Sequence, residues 1–166
     1  MFDHIFPQRI DNNYRGHKVA LWIFGLIIAL KILMSLNTIF NGYSVLSSAD
    51  GVPIDTFPAA ASQIMVSLGA IWGYAHLVLC FLLIVVLIRY RSAVPLMFTL
   101  LLVEQVGRRL ILYTMPIATG GTAPGFYVNI VLIAMIFLGL ALSLLHRGKS
   151  KEPAVVRSAS PAVNKS

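Results

Sequence analysis

The amino-acid sequence predicts an all-α integral membrane protein, a bundle of four transmembrane helices with both termini in the cytoplasm. Of its 166 residues, 58% are hydrophobic and only 11% are charged, whereas about a quarter of the residues in a soluble globular protein are charged. Four apolar stretches are each long enough to cross a bilayer, which takes about 20 helical residues. Outside these stretches, Lys and Arg occur only in alternate segments, which is the pattern that sets membrane topology.

The formal net charge of +7 does not indicate a nucleic-acid-binding protein. Most Lys and Arg residues lie at the ends of apolar stretches, where membrane topology accounts for them, so no nucleic-acid partner is expected. The chain has one cysteine, Cys80, and therefore no intrachain disulfide. No Cys/His pattern has the spacing of metal ligands, so neither a metal site nor a particular cofactor is indicated.

The chain begins with a leader, residues 1–18, that mixes apolar and charged side chains. This composition suits a cytoplasmic segment at the level of the lipid headgroups. The first transmembrane span is predicted over residues 19–43. The connection that follows it contains Asp50 and Asp55 but no Lys or Arg, so we expect it on the outer side of the membrane.

The second and third spans are predicted over residues 62–88 and 93–115, joined by a short cytoplasmic turn. Arg89, Tyr90 and Arg91 end the second span as a basic and aromatic anchor. Pro95 falls within the first turn of the third helix, where the missing backbone N–H is tolerated. The third span is unusual because its apolar sequence also contains polar and charged residues, namely Glu104, Gln105, Arg108 and Arg109.

The fourth span is predicted over residues 126–145, after an uncharged outer loop rich in Thr, Gly and Pro. A basic tail, residues 147–166, follows it and lacks any apolar periodicity, so we expect a disordered cytoplasmic segment. The leader, the turn between the second and third spans and the tail carry the positive charges. This distribution predicts both termini in the cytoplasm and a location in a plasma or inner membrane.

Three ionisable residues from three spans are predicted to lie at the same depth. Lys31, His76 and Glu104 are each twelve or thirteen residues from the cytoplasmic end of their helix, which is roughly 18 to 20 Å at helical rise. A charge inside the hydrocarbon core costs about 2.5 to 3.5 kcal/mol on insertion scales unless it has a partner. We therefore expect these residues, together with Arg108, to form a polar layer.

Helical spacing indicates which partners these residues have. Gly69 and Gly73 form a GxxxG surface on the same stripe as His76, so His76 is expected to face another helix. Glu104 and Arg108 are separated by one turn, with the acid nearer the N-terminus, which favours a pair. The hypothesis is an ionised Glu104 bonded to Arg108 or Lys31, with His76 in reach. Three further residues extend the layer: Gln105, Arg109 and Asn129.

Each of these residues also has a purely structural interpretation. The long side chain of Lys31 can instead reach the outer headgroups. His76 beside a GxxxG surface is more often a packed, hydrogen-bonded side chain than a proton carrier. Arg109 points away from Arg108 and is expected to reach the membrane surface or to bond Gln105.

Three functions remain open from the sequence. The favoured one is a non-enzymatic accessory, assembly or scaffolding protein, because the short loops leave little room for chemistry outside the bilayer. The first alternative is an oligomeric transporter or proton-linked channel component whose path is lined by the polar layer. The second is an enzyme acting on a lipid or quinone, with His76 and Glu104 as acid and base and the two adjacent arginines holding an anionic head group. No known catalytic spacing supports this alternative. The bilayer, other membrane subunits or further copies of the chain are the expected partners.

Overall fold

The computed structural model describes Asn12, Tyr14, residues 16–116 and residues 124–145. Some predictions concern residues outside this described part. They are those for the rest of the leader, for residues 117–123 between the third and fourth predicted spans, and for the tail. All the regular secondary structure of the described residues is helical, and no strand occurs among them. The all-α class predicted from the sequence is therefore confirmed.

Four long helices make up most of the described part of the chain. They are α1 (Lys18–Phe40), α2 (Ala59–Arg89), α3 (Val94–Thr114) and α4 (Pro124–Leu144). Helices α1, α2 and α4 are long and apolar enough to cross a membrane, which is compatible with the predicted membrane location. Helix α3 has 21 residues but carries three charged side chains within its apolar sequence. These residues, Glu104, Arg108 and Arg109, are the reason that α3 is not grouped with the three apolar helices.

Helix α1 ends three residues earlier than the predicted first span, because the backbone of Asn41 leaves the helical region with φ −124° and ψ 34°. A short helical turn (Gly42–Ser44) and a π-helical turn (Val45–Ala49) follow. The chain then reverses at Gly51, whose φ of 68° is a conformation that glycine adopts readily. The connection between α1 and α2 is therefore partly helical and folds back against the long helices.

Helix α1 is the central element of the bundle. It packs most extensively against α2 and also against α4, while α3 packs mainly against α4 and only sparsely against α2. The buried face of α1 follows helical periodicity and includes Ala20, Phe24, Ile27 and Lys31. Phe24 lies edge-on to Phe98 of α3, with ring centroids 5.0 Å apart.

Small residues allow two of these helices to approach closely. A Cβ atom added at Gly73 would lie 3.0 Å from the carbonyl oxygen of Ser35, so the backbones of α1 and α2 are in near contact there. Gly69 has a looser environment, with the nearest side-chain atoms 4.0 Å from an added Cβ. Of the two glycines in the GxxxG surface, Gly73 therefore marks the tighter approach.

Candidate functional site

The carboxylate of Glu104 is bonded on both oxygens by side chains from two other helices. The ammonium of Lys31 on α1 donates to Oε2 at 2.8 Å, and Nε2 of His76 on α2 lies 3.1 Å from Oε1. Lys31 is buried, with 4% of its side chain exposed, so it does not reach toward headgroups. The structure thus brings together the three residues that the sequence places at one depth. We call Lys31, His76 and Glu104 the polar cluster.

Both ring nitrogens of His76 are engaged within the protein. Nδ1 lies 3.2 Å from the carbonyl oxygen of Trp72, one helical turn earlier in α2. Nε2 contacts Oε1 of Glu104 on α3. His76 is therefore held between its own helix and the carboxylate of Glu104.

Arg108 bonds a different set of partners from those the sequence suggests. Its Nη2 donates to Oε1 of Gln105 at 2.9 Å and to Oδ1 of Asn129 on α4. Of the two partners expected for Glu104, Lys31 bonds the carboxylate, while Arg108, one turn away, is directed toward α4. The guanidinium is therefore held by two neutral amide oxygens and joins α3 to α4.

Asn129 is oriented by a second hydrogen bond of its own. Its Nδ2 donates to the carbonyl oxygen of Gly125 at 2.8 Å, one turn earlier in α4. Because the amide nitrogen is engaged there, the amide oxygen faces Arg108. This arrangement places the positive charge of Arg108 at a defined position between α3 and α4.

Arg109 contacts the start of α4. Its Nη2 donates to the carbonyl oxygen of Phe126 at 3.3 Å, and its guanidinium carbon lies 4.7 Å from the centre of the Phe126 ring. The oxygen of Gln105, one of the two partners expected for Arg109, accepts from Arg108 instead. Arg109 therefore joins the C-terminal half of α3 to the start of α4 and lies outside the polar cluster.

A cavity of about 430 Å³ adjoins the polar cluster and is bordered by all four long helices. The turn at Val45–Ala49 and Asp50 also contribute to its wall. Burial raises the pKa of the Asp50 carboxyl, and the nearby guanidinium of Arg108 lowers it in part. Most of the wall is apolar, and its polar side chains include Lys31, Asp50, His76, Gln105, Arg108 and Asn129.

Comparisons of the chain with protein-family models, curated proteins and solved structures found no match. The function of the site has to be inferred from its own chemistry. Within the described residues, no group of three or more His, Cys, Asp or Glu side chains is placed to hold a metal ion. The arrangement therefore offers a cationic, partly apolar cavity next to a bonded cluster of charges.

Two side chains that border the cavity, Asp50 and Trp72, are not assigned to the polar layer from the sequence. The fold of the connection between α1 and α2 explains Asp50, because the turn at Val45–Ala49 returns the chain toward the helices. Trp72 precedes His76 by one helical turn, and the two rings are 5.1 Å apart. That spacing was the signal available in the sequence.

Proposed function

We propose that the chain is a four-span membrane protein with both termini in the cytoplasm, and that it serves as a non-enzymatic accessory, assembly or scaffolding component. One observation carries the proposal: α3 forms polar bonds with each of the other three long helices. Glu104 bonds Lys31 of α1 and His76 of α2, and Arg108 bonds Asn129 of α4. The charges in α3 thus act as connections between helices.

The dimensions of α3 support its role as the fourth span. Its 21 residues extend about 32 Å at helical rise, close to the roughly 30 Å of a hydrocarbon core. Its charged residues have bonding partners on neighbouring helices, which lowers the cost of placing them in lipid. Large apolar side chains are exposed around the bundle, including Leu33, Ile71 and Phe137, each more than 60% accessible. Such a surface suits lipid or a partner helix.

The bonding of the polar cluster supports a structural role over a catalytic one. Every buried side-chain nitrogen and oxygen among the described residues has a hydrogen-bond partner. Both oxygens of Glu104 and both ring nitrogens of His76 are engaged within the protein.

The proposed location of the protein is a plasma or inner membrane.

The proposed topology predicts the accessibility of two connections. In a Cys80→Ser background, a cysteine at Thr56 in the outer connection should react with a membrane-impermeant maleimide on intact cells. A cysteine at Ser92, in the turn between α2 and α3, should react only after permeabilisation, because that connection carries Arg89 and Arg91 and stays inside. Labelling is read as a mass shift of the purified protein. Reaction at Ser92 on intact cells, or protection at Thr56, would reverse the proposed orientation.

The accessory role predicts a stable assembly with another membrane protein. After cross-linking in its native membrane and extraction in a mild detergent, the chain should migrate in one defined complex with a partner at fixed stoichiometry. The same chain produced in a foreign membrane is the matched control and should lack this complex. A chain that migrates alone, or only with copies of itself, in its native membrane would count against the accessory role.

A further inference from the structure

The wall of the cavity carries more positive than negative charge. Two cationic side chains, Lys31 and Arg108, line the cavity, and Asp50 is the carboxylate among the described residues of the wall. Lys31 is bonded to the carboxylate of Glu104, whereas Arg108 is bonded to amide oxygens. Cationic side chains therefore outnumber carboxylates along the wall even when Asp50 is ionised.

The partners of Arg108 orient its charge without neutralising it. Gln105 and Asn129 both present amide oxygens to the guanidinium, and amides carry no charge. Gln105 is buried, with 2% of its surface exposed. An excess charge next to apolar walls is unfavourable unless an opposite charge is close by. Guanidinium groups bind carboxylate, phosphate and sulfonate-type oxygens with short, charge-assisted hydrogen bonds.

We propose that this cavity binds a small organic anion, with the anionic group at Arg108 and an apolar body against the remaining wall. The proposal rests on the four-span arrangement proposed above. The volume of about 430 Å³ lies within the range of about 300 to 1,000 Å³ typical of ligand pockets. The apolar part of the wall includes Met34, Trp72, Val128 and Leu132.

The outer connection covers one side of this cavity. A Cβ atom added at Gly125 would lie 2.7 Å from the carbonyl oxygen of Ala49 and 3.3 Å from Oδ1 of Asp50. The turn at Val45–Ala49 is therefore seated directly on the start of α4. Two sources of an anion with an apolar body fit this position: a solute from the outer solution and an amphiphile from the membrane. Both present the same chemistry to Arg108.

Trp72 provides a direct measurement of binding. The chain has two tryptophans, and Trp22 is 82% exposed on α1 and outside the cavity wall. A Trp22→Phe variant in nanodiscs of phosphatidylcholine leaves Trp72 as the fluorescent reporter. Octanesulfonate, octanol and octyltrimethylammonium are the probes, because they share one apolar chain and differ in fixed charge. We expect a saturable change in Trp72 fluorescence with octanesulfonate at concentrations at least about tenfold below those needed for the other two.

Substitutions of two adjacent arginines test which charge is responsible. In the Trp22→Phe background, Arg108→Gln should weaken octanesulfonate binding by about tenfold or more, because the charge-assisted bonds are lost. Arg109→Gln is the matched control, since it removes the same charge at the next residue, which does not line the cavity. The affinity of this variant for octanesulfonate should be unchanged. Asp50→Asn should tighten binding, because the lining carboxylate that repels the anion is neutralised.

Benzenesulfonate distinguishes the two sources. Binding of benzenesulfonate with an affinity similar to that of octanesulfonate indicates a solute from the outer solution. Octanesulfonate binding without benzenesulfonate binding indicates an amphiphile from the membrane. Both results support the anion site, provided that Arg108→Gln weakens binding.

Three results would overturn the anion site. They are equal responses to all three octyl probes, preferential binding of octyltrimethylammonium that is lost in Asp50→Asn, and equal octanesulfonate affinity in Arg108→Gln and Arg109→Gln. If Arg108→Gln does not fold, the comparison of the three octyl probes on the Trp22→Phe protein decides the question. The maleimide labelling is independent of these titrations, so failure of the topology and failure of the anion site can be told apart.

Discussion

Replacing Glu104 by alanine is expected to lower the free energy of unfolding by about 3 kcal/mol, the scale on which removing one partner of a buried ion pair acts. The reason is that Lys31 loses its carboxylate partner at 2.8 Å while only 4% of its side chain is exposed. His76 also loses the oxygen that its Nε2 contacts. The measurement is unfolding in a mild detergent, followed by circular dichroism, together with the yield of folded protein.

A second substitution separates the buried charge from the loss of packing. The double variant Lys31→Met with Glu104→Ala should recover most of the loss, because no unpaired ammonium remains and apolar replacement of a buried ion pair is often close to neutral. Glu104→Gln keeps the shape of the side chain and should lose less than Glu104→Ala. If Glu104→Ala unfolds as the unsubstituted protein does, the polar cluster does not hold the helices together.

Replacing Gly139 by alanine is expected to cost about 2 kcal/mol, the usual scale of overpacking in a well-filled core. An added Cβ would overlap Cε1 and Cζ of the Phe98 ring and would lie 3.2 Å from Cγ2 of Ile23. Phe98 is fully buried and packs against Phe24, so its ring has little room to move away. The same unfolding measurement in mild detergent gives the change in stability.

Gly107 offers a matched control for this substitution. No atom lies within 4 Å of a Cβ added there, and alanine is favoured over glycine in a helix interior by up to about 1 kcal/mol. Gly107→Ala should therefore leave stability unchanged or raise it. Adding Phe98→Leu to Gly139→Ala should restore part of the lost stability. Equal effects of Gly139→Ala and Gly107→Ala would show that α4 and α3 do not pack as tightly as the structure indicates.

Much of the helical architecture is predictable because a bilayer imposes a simple requirement. A spanning segment must be apolar and about 20 residues long, and hydropathy is local information that any stretch of sequence carries. The connection between α1 and α2 was less predictable, since the turn at Val45–Ala49 is seated against the start of α4. The ends of the helices also differ by a few residues from the predicted spans. The first helix, for example, ends at Phe40 because the backbone leaves the helical conformation at Asn41.

The common depth of Lys31, His76 and Glu104 follows from counting residues along three helices from one membrane boundary. Because each helical residue advances the chain by a fixed rise, the number of residues converts to a distance. The sequence alone therefore indicates that these side chains can meet. Which groups bond is a different matter. Spacing within α3 favours Arg108 as the partner of Glu104, but Lys31 and His76 bond both carboxylate oxygens, and Arg108 bonds Asn129 instead.

Composition and periodicity therefore predict a helical membrane protein with a polar layer, because both properties belong to each segment separately. Three features depend instead on how the segments are arranged: the partner of each charge, the close approach at Gly73 and the cavity beside the polar cluster. A hydrogen bond requires two groups within about 3 Å of each other, and distances between helices are fixed by packing across the whole bundle.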